Sequence, residues 1–501
     1  MKLSDLARRL QPLGVRVENP LVETVGLADP DLHRACFDSR AVAEGDLFCA
    51  LPGTQHAGEQ FISAARARGA AAILIGAAES SNVMTGAPLP CLVAPSRQRL
   101  PAVAGEAAHL LAGEPSGALW CGAVTGTNGK TTVVHLVSQA LEAAGLPCAR
   151  AGTLGFSFRG LLRATRETTA SADRLHGWLA EVVEAGARAC VLEASSHGIV
   201  QGRLAGLRLD AAAWTNLTHD HLDYHHSLAE YARAKSALFH ELPREAAAFL
   251  PAAFPEAWRL TEGCAAQRWR WGFDPVADLR GSWRPVCGGV ELTVEGALGS
   301  AQFESPLFGA HNAENLLLAF GLARAAGLSC EAAAQGLAQA LPAPGRLEQV
   351  APAGPCRLFV DYAHTPDALS RVITSLRASF PGKRLGVVFG AGGDRDPLKR
   401  APMGQAVAQA ADWCLVTSDN PRSEAPDAIA RAVAAGVRAA GVTPEIILDR
   451  RAAIRAAVAR LHPGEVLLVA GKGHEDYQEI QGVRHPFDDR IELAEAAQCL
   501  V

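Results

Sequence analysis

The stretch Val124-Thr-Gly-Thr-Asn-Gly-Lys-Thr-Thr-Val-Val134 decides how the chain is read. A Gly-Lys-Thr after a glycine-bearing turn is the signature of a loop that cradles nucleotide phosphates, although the usual spacing wants glycine where Val124 stands. The residues before it, Ala118 to Val124, read as an apolar strand, and Thr131 to Gly145 as a helix. In that setting Gly126 and Gly129 permit tight turns, and the backbone N–H groups of the helix N-terminus face an anion. Lys130 supplies positive charge to the outer phosphates and Thr131 a hydroxyl to magnesium. The bland alternative is a glycine-rich turn with a solvated lysine.

Outward from this loop one pattern recurs. Short apolar runs end abruptly in polar clusters: "CVL" into "EASSHG", "AAAW" into "TNLTHDHLDYH", "LFV" into "DYAHTP", "LGVVF" into "GAGGDRD", "WCLVT" into "SDNPRSE" and "EVLLVA" into "GKGHEDY". Fully apolar runs suit strands buried on both faces of a parallel sheet, and ligands bind at the carboxyl ends of such strands. The expected class is α/β, a central P-loop ATPase domain with a mainly parallel sheet and a C-terminal Rossmann-like domain. At 501 residues the chain exceeds one core. Breaks at "APSRQRLP" (94–101) and "LPAPG" (341–345) divide it into domains at 1–97, 98–342 and 343–501.

Composition excludes some functions. The net charge of −5 lacks the basic excess of a nucleic-acid binder. No apolar run approaches the roughly 18 residues that read as a membrane span. The first ten residues read as a short amphipathic helix without a signal-peptide cleavage site. The twelve cysteines include no C-x-x-C pair, so neither zinc nor redox chemistry is expected, and a cytoplasmic enzyme is.

Glu193 and His221 fall at strand ends, where a hard cation beside a phosphate takes oxygen and imidazole ligands. The competing readings are a helix N-terminal carboxylate and a solvated loop histidine. Residues 227–242 read as a helix with an apolar face of Leu228, Tyr231 and Leu238, flanked by Phe239 and Leu242. Lys235 lies on that face. Base rates favour a snorkelling lysine. The sharper reading is a desolvated amine that adds carbon dioxide to become a carbamate ligand.

Taken together, "VTGTNGKTT", "EASSHG", "TNLTHDHLDYH", "YARAKSALF", "HNAENLLLA", "GRLE", "VDYAHTPDAL", "FGAGGDRD", "SDNPRSE" and "VAGKGHEDYQ" resemble the Mur ligases, in the family's order from "DSRAVAEGDLFCALPG" almost to the C-terminus. The resemblance implies the glycine-shortened P-loop, three domains and ATP-dependent amide formation through an acyl phosphate. Thr125, Gly126, Thr127, Asn128, Gly129, Lys130 and Thr131 would hold ATP, with Asn312, Arg346 and Asp361 at its nucleoside. Glu193, His221 and carbamylated Lys235 would join Thr131 around Mg2+.

Asn128, Thr168, Thr169, Ser195, Gln201 and Arg203 would meet the muramoyl-dipeptide, and Ser39, Thr54, Gln55 and His56 the uridine end of this UDP-sugar. Asp419, Asn420, Pro421 and Arg422 match a diaminopimelate signature, completed by Arg395, Gly471 and Glu475. Arg422 would pair with the second carboxylate, which lysine lacks. A turn residue after Asn-Pro is the competing reading of Arg422. A monomer acting on these small molecules, with no nucleic-acid or membrane partner, is expected.

Ala170 stands where the family often has proline or glycine, and Ala391 where cysteine is common. The strand usual after the Lys235 helix, with its Asn-x-Asp-Asp ending, is missing as a motif, which leaves residues 244–258 unassigned. Two rival functions share the scaffold pattern: another amide ligase, lysine-adding or of the folylpolyglutamate type, and a nucleotide switch without ligase activity.

Overall fold

The structure is a computed structural model that describes residues 1–18, 29–53, 56–77, 89–165, 167–218, 220, 222–350 and 354–498. The chain divides into two compact units, residues 1–271 with 321–328, and residues 272–320 with 329–501.

The first unit contains two sheets. Five short strands, β1 (Arg16–Glu18), β2 (Ala35–Cys36), β3 (Leu47–Cys49), β4 (Ala72–Gly76) and β5 (Cys91–Ala94), lie in the order β1-β5-β4-β3-β2. All pairs are parallel except β1 with β5. One face packs on helices Leu3–Leu10 and Leu100–Leu111 through Leu6, Leu10, Leu100, Val103 and Ala107. The opening segment is thus the helix its periodicity suggests.

The second sheet follows the order β13-β12-β11-β6-β10-β7-β8-β9. Its strands are β6 (Trp120–Thr125), β7 (Cys148–Gly152), β8 (Gly155–Phe158), β9 (Leu161–Arg163), β10 (Ala189–Glu193), β11 (Ala211–Trp214), β12 (Ala247–Pro251) and β13 (Gln267–Gly272). From β13 to β7 every pair is parallel, and β8 and β9 turn back antiparallel. The central strands are buried along their length, as continuous apolar runs demand. β12 resolves the unassigned segment 244–258: "AAFLP" forms a strand in the expected place, and helix Pro255–Leu260 follows.

The second unit contains an antiparallel meander, β14 (Leu279–Val286), β15 (Gly289–Gly296) and β16 (Ala301–Ser305). It also holds a six-stranded sheet in the order β17-β18-β22-β19-β20-β21. These strands are β17 (Glu348–Gln349), β18 (Arg357–Asp361), β19 (Leu385–Phe389), β20 (Trp413–Val416), β21 (Glu445–Ile446) and β22 (Val466–Ala470). All but β17 run parallel, and apolar clusters cover both faces. β22 returns to lie between β18 and β19, so the strand order reverses there. Such a switch opens a crevice at the carboxyl ends, and those ends carry Asp361, Gly390, Thr417 and Gly471. A hairpin, β23 (Tyr477–Ile480) with β24 (Val483–Pro486), completes the unit. Among the described residues no helix is long and apolar enough to cross a membrane.

Candidate active site

β6 ends at Thr125, and the chain turns through Gly126 (φ 140°) and Gly129 (φ 88°) into helix Lys130–Ala143. The residues that follow β11 pin this turn from the side. Asn128 N–H donates to Asn216 Oδ1 at 2.9 Å, and the Thr215 hydroxyl donates to Asn128 O at 2.6 Å. The packing explains Gly126: a Cβ there would lie 1.9 Å from Thr215 Oγ1, at a φ that L side chains avoid. Gly126→Ala is therefore expected to cost about 2 kcal/mol or more through overpacking and strain. It should weaken ATP binding as well, and thermal melting with and without nucleotide measures both.

Lys130 Nζ donates to Gly126 O and Thr127 O, each at 2.9 Å. Lys235 Nζ, from helix Leu228–His240, donates to the same Gly126 O at 2.9 Å. Lys235 is 1% exposed, so it does not snorkel, which corrects the base-rate reading. Its amine lies 4.2 Å from the centre of the Tyr231 ring. Burial, and then the neighbouring Lys130 charge, hold its pKa well below the ordinary lysine value. Leu228, expected on the apolar face, is exposed instead, because it opens the helix beside its cap at Ser227.

Glu193 closes β10 and is 2% exposed. Its Oε1 accepts from the Thr131 hydroxyl at 2.9 Å and from Thr153 N–H at 2.8 Å, and its Oε2 from the Thr153 hydroxyl at 3.2 Å. Ser195, not Glu193, supplies the side-chain cap of helix Ser196–Val200, and Glu193 meets Thr131 in the first turn of helix Lys130–Ala143. A carboxylate and a hydroxyl, both oxygen donors, held together beside the phosphate loop suit a hard divalent cation. His221 lies outside the described residues. Nearby, His225 is no solvated histidine: it is buried, with Nε2 2.9 Å from Ser196 Oγ, beside the Tyr231 ring.

The dipeptide candidates converge on the same strand end. Thr169 donates to Glu193 O at 2.8 Å, Arg203 donates to Thr169 O at 2.7 Å and to Gln201 Oε1 at 2.6 Å, and the hydroxyls of Thr168 and Thr153 are 3.1 Å apart. Ser195 N–H donates to Thr169 Oγ1 at 2.9 Å. Ser39 sits in the turn after β2, and the preceding Phe37 N–H donates to Asp173 Oδ2 at 3.0 Å. His56 is exposed with its ring edge toward Phe61. Thr54 and Gln55 lie outside the described residues.

In the second unit, Asn312 is buried, with its amide donating to Phe308 O at 2.9 Å. The Arg346 guanidinium lies 4.6 Å over the Tyr362 ring. Both Asp361 oxygens accept backbone N–H groups, from Leu347 at 2.6 Å and Ala363 at 2.7 Å, so this carboxylate fixes the turn that carries Arg346.

The ends of β19, β20 and β22 bring together the residues expected for an amino acid. Glycine is required at Gly393, where a Cβ would lie 2.0 Å from Pro421 O. Arg422 has a φ of 51°, and its Nη1 donates to Gly393 O at 2.7 Å. Asn420 Nδ2 donates to Glu475 Oε2 at 2.7 Å. Gly471 approaches Asp419 so closely that a Cβ would meet Oδ2 at 2.5 Å. Arg395 is exposed on the adjoining loop. Thr153, Thr215 and Asn216 escape the sequence reading. The last two directly follow β11, a position that could have flagged them; Thr153 carries no such signal.

The first unit has a P-loop with a carboxylate–hydroxyl pair at its mouth, and the second a strand-end crevice lined by Asp419, Asn420, Arg422 and Glu475; both fit an α/β ligase scaffold. The chain belongs to the Mur ligase family. The Mur ligase family catalytic domain matches residues 31–112, the Mur ligase middle domain 124–323 and the Mur ligase glutamate ligase domain 345–473. The UDP-N-acetylmuramoyl-L-alanyl-D-glutamate–2,6-diaminopimelate ligase of Gloeobacter violaceus is 40% identical over 95% of this chain and 96% of its own length. That of Chromobacterium violaceum is 41% identical over 95% and 96%. A solved structure of a ligase of that name matches with a TM-score of 0.68 at 34% identity, over 97% of this chain and 99% of its own. A Mycobacterium tuberculosis folylpolyglutamate synthase complexed with ADP and AMPPCP shares the fold, with a TM-score of 0.61 at 22% identity over 72% of this chain and 90% of its own.

Proposed function

We propose that the chain joins meso-diaminopimelate to the D-glutamate of UDP-N-acetylmuramoyl-L-alanyl-D-glutamate, using ATP, in peptidoglycan precursor synthesis. The observation that carries this reading is Arg422, seated against Gly393 beside Asp419, Asn420 and Glu475, in a chain about 40% identical over its length to ligases of that name. A guanidinium there matches the carboxylate that distinguishes diaminopimelate from lysine.

The D-glutamate γ-carboxylate attacks the terminal phosphorus of ATP, and ADP leaves. The amine of diaminopimelate then attacks the acyl phosphate, and phosphate leaves as the amide forms. Both partners of the first step are anionic, so positive charge must be held in place before they meet. Lys130 supplies part of it. Thr131 and Glu193, with His221 and carbamylated Lys235, would hold Mg2+, which when bound screens the phosphates. Asn128, Thr168, Thr169, Ser195, Gln201 and Arg203 orient the dipeptide, and Ser39, Thr54, Gln55 and His56 the uridine end. Asn312, Arg346 and Asp361 serve the nucleoside. No side chain need become a nucleophile toward substrate; positioning and exclusion of water from the acyl phosphate suffice. We place this activity in the cytoplasm, in a monomer.

A panel tests the reading. Purified protein with ATP and the muramoyl-dipeptide should release phosphate with diaminopimelate and not with lysine. Release with lysine alone would reassign the substrate, and release independent of any amino acid would leave only a nucleotide switch.

A further inference from the structure

Resting on that amino-acid site, we propose that Lys472 is a positioning residue: its buried ammonium fixes Asn420 and Glu475 in the orientation that receives the ammonium of the incoming amino acid. Lys472 directly follows Gly471 at the end of β22 and is 0% exposed. Its Nζ donates to Asn420 Oδ1 at 3.1 Å and to Glu475 Oε2 at 3.2 Å. Glu479 N–H donates to the same Asn420 oxygen at 2.9 Å. Two donors on Oδ1 leave the Asn420 amide one orientation, which sends Nδ2 to Glu475 Oε2 at 2.7 Å. The described bonds to Glu475 all fall on Oε2, which leaves Oε1 as the oxygen for a substrate ammonium. Gln478 Nε2 donates to Asp419 O at 2.7 Å and ties the hairpin into the same network.

Packing alone does not account for a lysine here. Burying an ammonium carries a desolvation cost that an apolar side chain of similar length avoids. What the ammonium adds is charge beside the Glu475 carboxylate. Burial pushes the Glu475 pKa up, Lys472 opposes this, and Asp419 adds to it. Tyr362 and Tyr477 also feel the Glu475 charge, as does Arg450, which is anchored by Asp489 at 2.7 Å and donates to Ala470 O at 2.9 Å. Without Lys472, burial and Asp419 act with less opposition, and Glu475 takes up a proton at higher pH. A protonated Glu475 cannot pair with an ammonium.

The test measures KM for diaminopimelate, ATP and the muramoyl-dipeptide across pH in the full-length Lys472→Met and Lys472→Gln variants. Lys472→Met is expected to raise KM for diaminopimelate at least about tenfold, increasingly so as pH falls, with KM for ATP within about twofold. Lys472→Gln keeps N–H donors and should recover part of the affinity near neutrality while keeping the altered pH profile. If Lys472→Met does not fold, Lys472→Gln carries the test by its pH profile. An unchanged KM for diaminopimelate, a wild-type pH profile, or equal rises for all three substrates would overturn the inference. Arg422→Ala and Glu475→Gln belong in the same panel. If they too leave KM for diaminopimelate unchanged, the site itself is misread; if they raise it and the Lys472 variants do not, only the role of Lys472 falls.

Discussion

Lys235→Ala lowers ligase turnover by about three orders of magnitude, the usual size of losing one organised electrostatic group at a reacting centre. The expectation begins with burial. A lysine 1% exposed shares Gly126 O with Lys130, and burial and the Lys130 charge outweigh the Asp220 charge that favours its protonated form. Burial and the Lys130 charge hold its pKa well below the ordinary range, which favours the neutral amine and its lone pair. Attack on carbon dioxide would form an N–C bond and release an N–H proton, and the side chain would become an anionic carbamate. As pH falls through the lowered pKa, the amine takes up a proton and the carbamate is lost, so activity should decline on the acid side. Lys235→Arg places a permanent cation there that cannot make this adduct, and should be as inactive as alanine. Carbon-13 NMR in labelled bicarbonate should show a carbamate resonance in the parent protein that the variants lack. Turnover in Lys235→Ala within threefold of the parent would refute this account.

Arg422→Ala raises KM for diaminopimelate by about 30-fold or more, corresponding to the 2–5 kcal/mol lost when one partner of a buried charge pair is truncated. KM for ATP should stay within about twofold. The guanidinium is preorganised: Nη1 is held on Gly393 O at 2.7 Å, with Nε 3.9 Å from Glu479 Oε2. The backbone is held independently, because Arg422 N–H donates to Glu479 O at 3.0 Å and Gln481 N–H donates to Arg422 O at 2.7 Å. Removing the side chain should therefore leave the loop in place. Arg422→Lys keeps the charge but loses the planar fork, and should fall between parent and alanine. Arg422→Gly separates affinity from stability. It relieves the left-handed φ of 51° and should raise the melting temperature while impairing diaminopimelate binding as much as alanine does. Competition between diaminopimelate and lysine measures the selectivity that remains.

The parts of this molecule legible in its sequence are those governed by local pattern. The apolar runs at 189–193, 211–214, 385–389, 413–416 and 466–470 are all parallel strands, and the polar clusters behind them lie at strand ends. The Gly-Lys-Thr turn announces its helix. Less legible is whatever depends on distant chain. Lys235 has the sequence of an ordinary amphipathic-helix lysine, and only packing beneath the Gly126 turn shows that it cannot reach water. Lys472 in "GKGHE" looks like a solvated loop residue until Asn420, from the loop after β20, and Tyr477 of β23 come against it. The "AAFLP" strand was obscured because the motif expected after it is missing, although its own apolar run suits a buried strand. Thr153 follows β7 without a recognisable motif, yet it holds both oxygens of Glu193.

The carbonyl of Gly126 accepts from two lysine side chains at once, Lys130 and Lys235, each at 2.9 Å. Under the carbamate reading, capture of one gas molecule turns the Lys235 amine into an anion that the Lys130 ammonium attracts. Two lysines that compete for one acceptor then become an ion pair spanning the turn. Readiness for catalysis would accordingly track dissolved inorganic carbon, and protein prepared under carbon dioxide–free buffer should start slowly and accelerate once bicarbonate is restored.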